Sequence, residues 1–492
     1  MGVNGGAGSG RGRNGYNGGG NEEEVDMLYP QAAGVMLDLF PRLVGLVYLI
    51  AFLSLLAQVK GLYGSRGIIP LCSVRDEVQS ALGRRGWLYY PSLFLWRCGD
   101  RLVVGAAAAG AAVACTVIAG IVTAFGLMLL YLLYLSYVSL GQEFLSYQWD
   151  ALLLETGFIT IVLALCPALP LTAVIAFRFF LFRFMFSAGW VKHASGDPTW
   201  RSMTALCHHY QTQPLPNRLS WHAHQLPVWF QKMSTFGTFV FELGFPFLAL
   251  GTAGMRLWGF ILLVALQVLI QATGSFGFFN LLTVVLTLPL LDDRNLPWTA
   301  AAAPAAMPEA WAWVLNALFL PFIFLNALQL LRLFMRPRWT SRLMESIAPW
   351  SISSPYGLFA VMTTERLELV IEGSGDGRTW KTYEFRWKPG NPLLPPRHAA
   401  PHQPRLDWQM WFAALQPRTL QPWLLNLLLR LLEGSEPVLA LLRENPFPER
   451  PPGQVRVTLY RYRFSTREER RRTGAWWERE LLGRFPPVAL GG

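Results

Sequence analysis

Charge is what this chain is shortest of. Only 15% of its 492 residues are Asp, Glu, Lys or Arg, while 52% are hydrophobic; an ordinary soluble domain carries roughly 25% charged residues. With a mean hydropathy of +0.30, that deficit excludes a chain that is soluble throughout. Cysteine is scarce too. The five cysteines all precede residue 210 and form no CxxC pair, so thiol–disulfide exchange by this chain has no motif and the C-terminal part has no disulfide. No Asn-x-Ser/Thr acceptor occurs, an absence that leans, with the cysteine-free tail, towards a bacterial or otherwise unmodified protein. GxSxG, Walker and HExxH patterns are also missing, which excludes the common hydrolase, nucleotide and zinc-protease sites. Neither a catalytic residue nor a cofactor is expected.

What is there begins with a tail. Ten of the first twenty residues are glycine, followed by Glu22, Glu23, Glu24 and Asp26. Residues 1–26 therefore read as disordered, without the early hydrophobic core of a cleavable signal peptide. Residues 27–336 hold about eight apolar stretches long enough to approach a membrane crossing, at 35–59, 102–122, 124–147, 153–182, 236–253, 256–273, 276–291 and 311–335. The shorter 276–291 is compatible with a re-entrant segment. Residues 294–310 are Pro/Ala-rich and read as a linker. The fold class expected is a polytopic α-helical membrane protein with a C-terminal β-rich α+β soluble domain over 337–492.

Polar chemistry collects where membrane helices meet water. Asp150 and Glu155 lie at the mouth of an apolar helix, about 140° apart on its surface. Such carboxylates are expensive unless paired, and Arg178 and Arg183 at the end of the next span are plausible partners in an ion-pair network. The loop 183–232 adds Lys192, the turn Gly196-Asp197-Pro198 and five of the chain's seven histidines. Cys207, His208 and His209 with His222 or His224 could be read as a metal site. Adjacent residues point apart, however, and no common ligand spacing is present, so no metal is expected. His209 and Tyr210 read instead as anchors of a loop stiffened by Pro214 and Pro216. GSRGIIPL (64–71) reads as a fixed turn at the interface.

From Arg336 onward there are 23 Lys+Arg against 15 Asp+Glu, a basic balance suited to anionic lipid or an acidic partner. Nucleic acid is not expected, since no recognition motif accompanies the charge. Strands are expected over 366–372, 380–388 and 454–464, with a Gly-rich turn between the first two. Helices are expected over 408–415 and 420–432. Trp408, Trp411, Phe412 and Leu415 share one helical face behind Arg405 and Asp407. They read either as core or as an exposed aromatic surface that grips a client protein.

Several blocks carry a resemblance: QWDALLLETGF (148–158), SGDPTW (195–200), HYQTQPLP (209–216), AHQLP (223–227), IEGSGDGRTWKTYEFRWKPG (371–390) and PHQPRLDWQMWFAAL (401–415). Spread between about Gly64 and Pro487, they resemble the lipase maturation factor family. The resemblance implies a multi-pass protein of the endoplasmic-reticulum membrane that assists folding and assembly of secreted lipases, its C-terminal domain acting on the client. In a bacterium the same body would sit in the inner membrane. It also implies a cytoplasmic N-terminus with the 60–101 loop opposite, although seven Lys+Arg in that loop against two in the tail favour the reverse. A fainter similarity, through GSRGIIPL and Lys192, is to vitamin K-dependent carboxylase-like membrane proteins, which would imply histidines and carboxylates converging on a cavity around a lipid or protein substrate.

Overall fold

In hydrocarbon a backbone must satisfy its own hydrogen bonds, so apolar runs of this length become helices. The computed structural model describes residues 32–296, 298 and 309–490; the glycine-rich tail and most of the Pro/Ala linker lie outside them. In chain order the membrane helices are α1 (Val35–Leu56), α2 (Asp100–Ile118), α3 (Thr123–Leu140), α4 (Gln148–Ala164), α5 (Leu171–Ala194), α6 (Val228–Leu250), α7 (Ala253–Thr273), α8 (Phe279–Leu290) and α9 (Glu309–Phe334). Seven of these are long and apolar enough to cross a membrane; α4 and α8 are shorter.

Two of the expected spans need correction. The stretch 153–182 is divided, because Pro167 and Pro170 end α4 and start α5. The short α8 is about 18 Å long and is not among the seven helices long enough to cross a membrane. Its start lies against the C-terminal domain, and just past its end Asp293 accepts hydrogen bonds from the amides of Gly34 and Val35. Non-helical backbone flanking it is tolerated at that depth because protein surrounds it.

Contacts at the helix ends fix an alternating path. The connections 57–99, 141–147, 195–227 and 274–278 meet the C-terminal domain at one face. Arg42 reaches the Ile118 carbonyl, and Thr172 pairs with Asn316, at the other face. On the first face the 57–99 connection is closed by a disulfide between Cys72 and Cys98.

After α9 the amphipathic helix α10 (Arg338–Ile347) precedes a segment, 351–362, that turns back among the membrane helices. The C-terminal domain follows, an antiparallel sheet ordered β2-β1-β3-β4. Its strands are β1 (Arg366–Ser374), β2 (Lys381–Thr382), β3 (Gln454–Phe464) and β4 (Trp477–Arg484). β1 pairs with β3 along its whole length. The helices α11 (Arg405–Leu415) and α12 (Pro422–Leu432) cover it. The strand expected over 380–388 stops at Thr382, since the amides of Trp387 and Lys388 turn to the Asp407 carboxylate instead of a neighbouring strand.

The apolar core does not stop at the boundary. Trp408 of α11 packs edge-on against Trp149 of α4 at 4.7 Å, and Phe276 lies 5.9 Å from the same ring.

Candidate functional site

The seam between membrane helices and C-terminal domain is held by charged groups that the fold buries and then pairs. Asp150, in the first turn of α4, receives both terminal nitrogens of Arg405, at 2.8 and 2.9 Å, and the Tyr134 hydroxyl at 2.5 Å. Arg405 is 0% exposed and also donates to the Phe144 carbonyl at 2.7 Å. Burial works against its charge, but the Asp150 carboxylate outweighs that and raises its pKa.

Further along α4, Glu155 is met by Arg183 of α5 at 2.5 Å, the Tyr356 hydroxyl at 2.6 Å and the Ser354 amide at 2.9 Å. Arg183 also donates to the Ser354 carbonyl at 2.8 Å. The returning segment is thus stitched to two membrane helices. It continues past Trp200, whose indole donates to Phe359, to the Met362 amide, which donates to Asp197. Burial opposes ionisation of Asp197, but hydrogen bonds from Thr199 and Met362 hold its carboxyl below the usual range.

Arg178 pairs with neither carboxylate. It donates to the Pro289 carbonyl at 2.8 Å and lies 3.9 Å from Asp292, so its expected place beside Asp150 or Glu155 is corrected: α5 points it towards the opposite face. Lys192 pairs with Glu242 of α6 at 2.8 Å and stands 5.7 Å from the Trp200 ring. His209 and Tyr210 lie on the short helix Ala205–Thr212. The His209 ring packs 5.0 Å from Phe359, and burial, with Lys192 nearby, pushes its pKa down to about 4.

The exposed reading of the α11 residues does not survive. Arg405, Asp407, Trp408 and Trp411 are all buried. Asp407 accepts from two backbone amides, and burial still pushes its pKa up to about 6. Trp411 donates to the Thr212 carbonyl at 2.8 Å. Phe412 and Leu415 at the end of the stripe keep a surface, 37% and 40% exposed, with the Phe412 ring stacked on Tyr147. The physical reason is that α11 is wedged between the sheet and the membrane helices, which cover all of it but Phe412 and Leu415.

Sequence reasoning missed several partners. Tyr134, Glu242 and Tyr356 gave no local signal, since their partners lie in other elements. Arg366 and Glu368 did give one. Two opposite charges two apart on a strand share a face, and they pair at 2.6 Å in the core with Lys388 at 2.7 Å from Glu368. Among the described residues no three His, Cys, Asp or Glu side chains gather as a metal site. Of the carboxylates and histidines expected at the junction, only His209 lines a cavity, together with Lys192 and Glu242; Asp150, Glu155, Asp197 and the loop's other four histidines lie outside it, which leaves the carboxylase-like reading without support.

Two family models match this arrangement. The lipase maturation factor transmembrane domain matches residues 35–298, and the lipase maturation factor C-terminal domain matches residues 352–487. The chain belongs to the lipase maturation factor family. It is 35% identical to lipase maturation factor 2 of Rattus norvegicus over 94% of this chain and 84% of the relative. The Homo sapiens counterpart is 34% identical over 92% of this chain and 82% of the relative. Lipase maturation factor 1 of Mus musculus is 31% identical, covering 91% and 86%. No solved structure matches. The chain is a multi-pass membrane protein whose C-terminal matched region begins at residue 352, inside the returning segment.

Proposed function

We propose that this maturation factor assists the folding and assembly of secreted lipases from the endoplasmic-reticulum membrane, without turning over a substrate of its own. The observation that carries the reading is the face on which the C-terminal domain sits. The Cys72–Cys98 disulfide closes a connection on that face, and the carbonyls of Arg66 and Gly67 in the same connection accept from Ser435 and Arg430 of the C-terminal domain. Disulfides persist on the oxidising side of a membrane, where secreted proteins fold. The buried Asp150–Arg405 pair keeps the domain at a fixed height above the bilayer, a platform rather than a tethered module. Membrane lipid and a client lipase are its partners in this reading, with Phe412 the remaining candidate for client contact from α11.

The test is complementation. Cells lacking their own maturation factor and expressing a secreted lipase should regain lipase activity and dimer in the medium when this chain is supplied. An unchanged medium, or a purified preparation that converts a lipid by itself with one ionisable side chain indispensable, would count against the proposal.

A further inference from the structure

A cavity of about 540 Å³ lies between α5, α6, α7 and α8, roofed by the helix Ala205–Thr212 and the returning segment. That volume suits a small-molecule ligand. Its walls are mostly apolar, with Phe184, Phe241, Leu266, Ile270 and Phe279 among them. Its polar end carries three groups that find no hydrogen-bond partner among the described residues: the His209 ring, the Tyr210 hydroxyl and the Gln267 amide. Gln267 is only 4% exposed. Its amide atoms are not fully enclosed by protein, so they reach open space and can exchange hydrogen bonds with whatever occupies it.

The cavity also has a way in. α7 packs on α6 through the far part, Val240–Leu250, while Val228–Phe239 makes little close backbone approach to α7. Phe230 and Leu269 line this gap, and Leu269 is 60% exposed on a helix long and apolar enough to cross a membrane. Charge is already balanced inside, since Lys192 and Glu242 in the wall neutralise each other at 2.8 Å. His209, held near 4 by burial, adds no positive charge at neutral pH.

We propose that this cavity holds one uncharged lipid with a hydroxyl or ester head, drawn sideways from the bilayer through the gap between α6 and α7. His209, Tyr210 and Gln267 supply donors and acceptors to the head, and the aromatic wall takes the chain. An anionic phospholipid is disfavoured, because its charge would enter without a free cation to meet it. Water alone would leave the apolar walls poorly occupied. The site is a binding site and involves no covalent step.

The full chain in bilayer discs is irradiated with a diazirine-bearing monoacylglycerol, and separately with a diazirine phosphatidylserine of the same chain length. The neutral probe should label peptides of α6, α7 and Ala205–Thr212, and unlabelled monoacylglycerol should compete. Filling the cavity with Ala188→Trp should abolish that labelling. Gln267→Leu, close in volume and checked for an unchanged unfolding temperature, should lower it about fivefold, the worth of one hydrogen bond. Labelling that is equal in wild type and in Gln267→Leu, or equally strong with phosphatidylserine, overturns the proposal.

Discussion

Deleting the Arg405 side chain would leave the Asp150 carboxylate fully buried with the Tyr134 hydroxyl as its remaining side-chain partner. Breaking a buried pair from one side costs about 3–5 kcal/mol, so Arg405→Leu should strongly lower the unfolding temperature of purified protein. The double variant with Asp150→Leu should cost clearly less than the two singles summed, because no charge is then stranded. Phe412→Ala, at a half-exposed position, should change stability little and serves as the control.

Acid should weaken the same molecule. Burial pushes His209, His224 and His402 down to about 4, against about 6.5 in an unfolded chain. Between those values the unfolded state binds more protons, so stability falls as pH drops through the window. Asp407, pushed up to about 6, acts in the opposite sense. One carboxyl against three imidazoles leaves a net loss, expected as an unfolding temperature lower by a few °C at pH 5 than at pH 7, and partly restored in His402→Gln. At this scale the sequence told how expensive a carboxylate in an apolar helix is, but not which cation meets it. The partner of Asp150 lies 255 residues away, and no local pattern distinguishes a buried Arg405 from one on a surface.

The element that most constrains docking is the short helix Val59–Tyr63. A Cβ at Gly61 would stand 2.4 Å from the Pro437 carbonyl oxygen, backbone that cannot swing aside. Gly61→Val should therefore lift the Glu436–Leu439 turn from the membrane domain at a cost of about 1–3 kcal/mol. Limited proteolysis would show it as faster cleavage of the C-terminal domain with the membrane fragment intact. Long helices were legible from their apolar length, and β1 and β3 from alternation. The division of 153–182 was written in Pro167 and Pro170, but their effect is hidden where the flanking residues are equally apolar. β4 was not legible. Its residues WERELLGR are mostly exposed on both faces, as an edge strand allows, so no buried stripe marks them.

At the scale of the whole molecule, the alternating path of the helices puts Gly34 and the C-terminal domain on opposite faces. The turn between β1 and β2 offers a direct check. Gly377 has φ +69, a conformation asparagine tolerates, and it is followed by Arg378 and an exposed Thr379. Gly377→Asn thus makes a glycosylation acceptor on the face that carries the disulfide. Expressed in animal cells, the variant should gain one glycan removable by endoglycosidase; an unmodified band would place that face in the cytoplasm.

The strand order has a consequence for how the protein is made. β3 lies at the middle of the sheet, hydrogen-bonded to β1 on one side and β4 on the other, yet it leaves the ribosome long after β1. Until then β1 waits with a bare edge, a state that invites pairing with the wrong chain. A stop codon anywhere between Thr382 and Gln454 would make that state permanent, so such truncated products should be cleared or aggregate even though every membrane helix has been inserted.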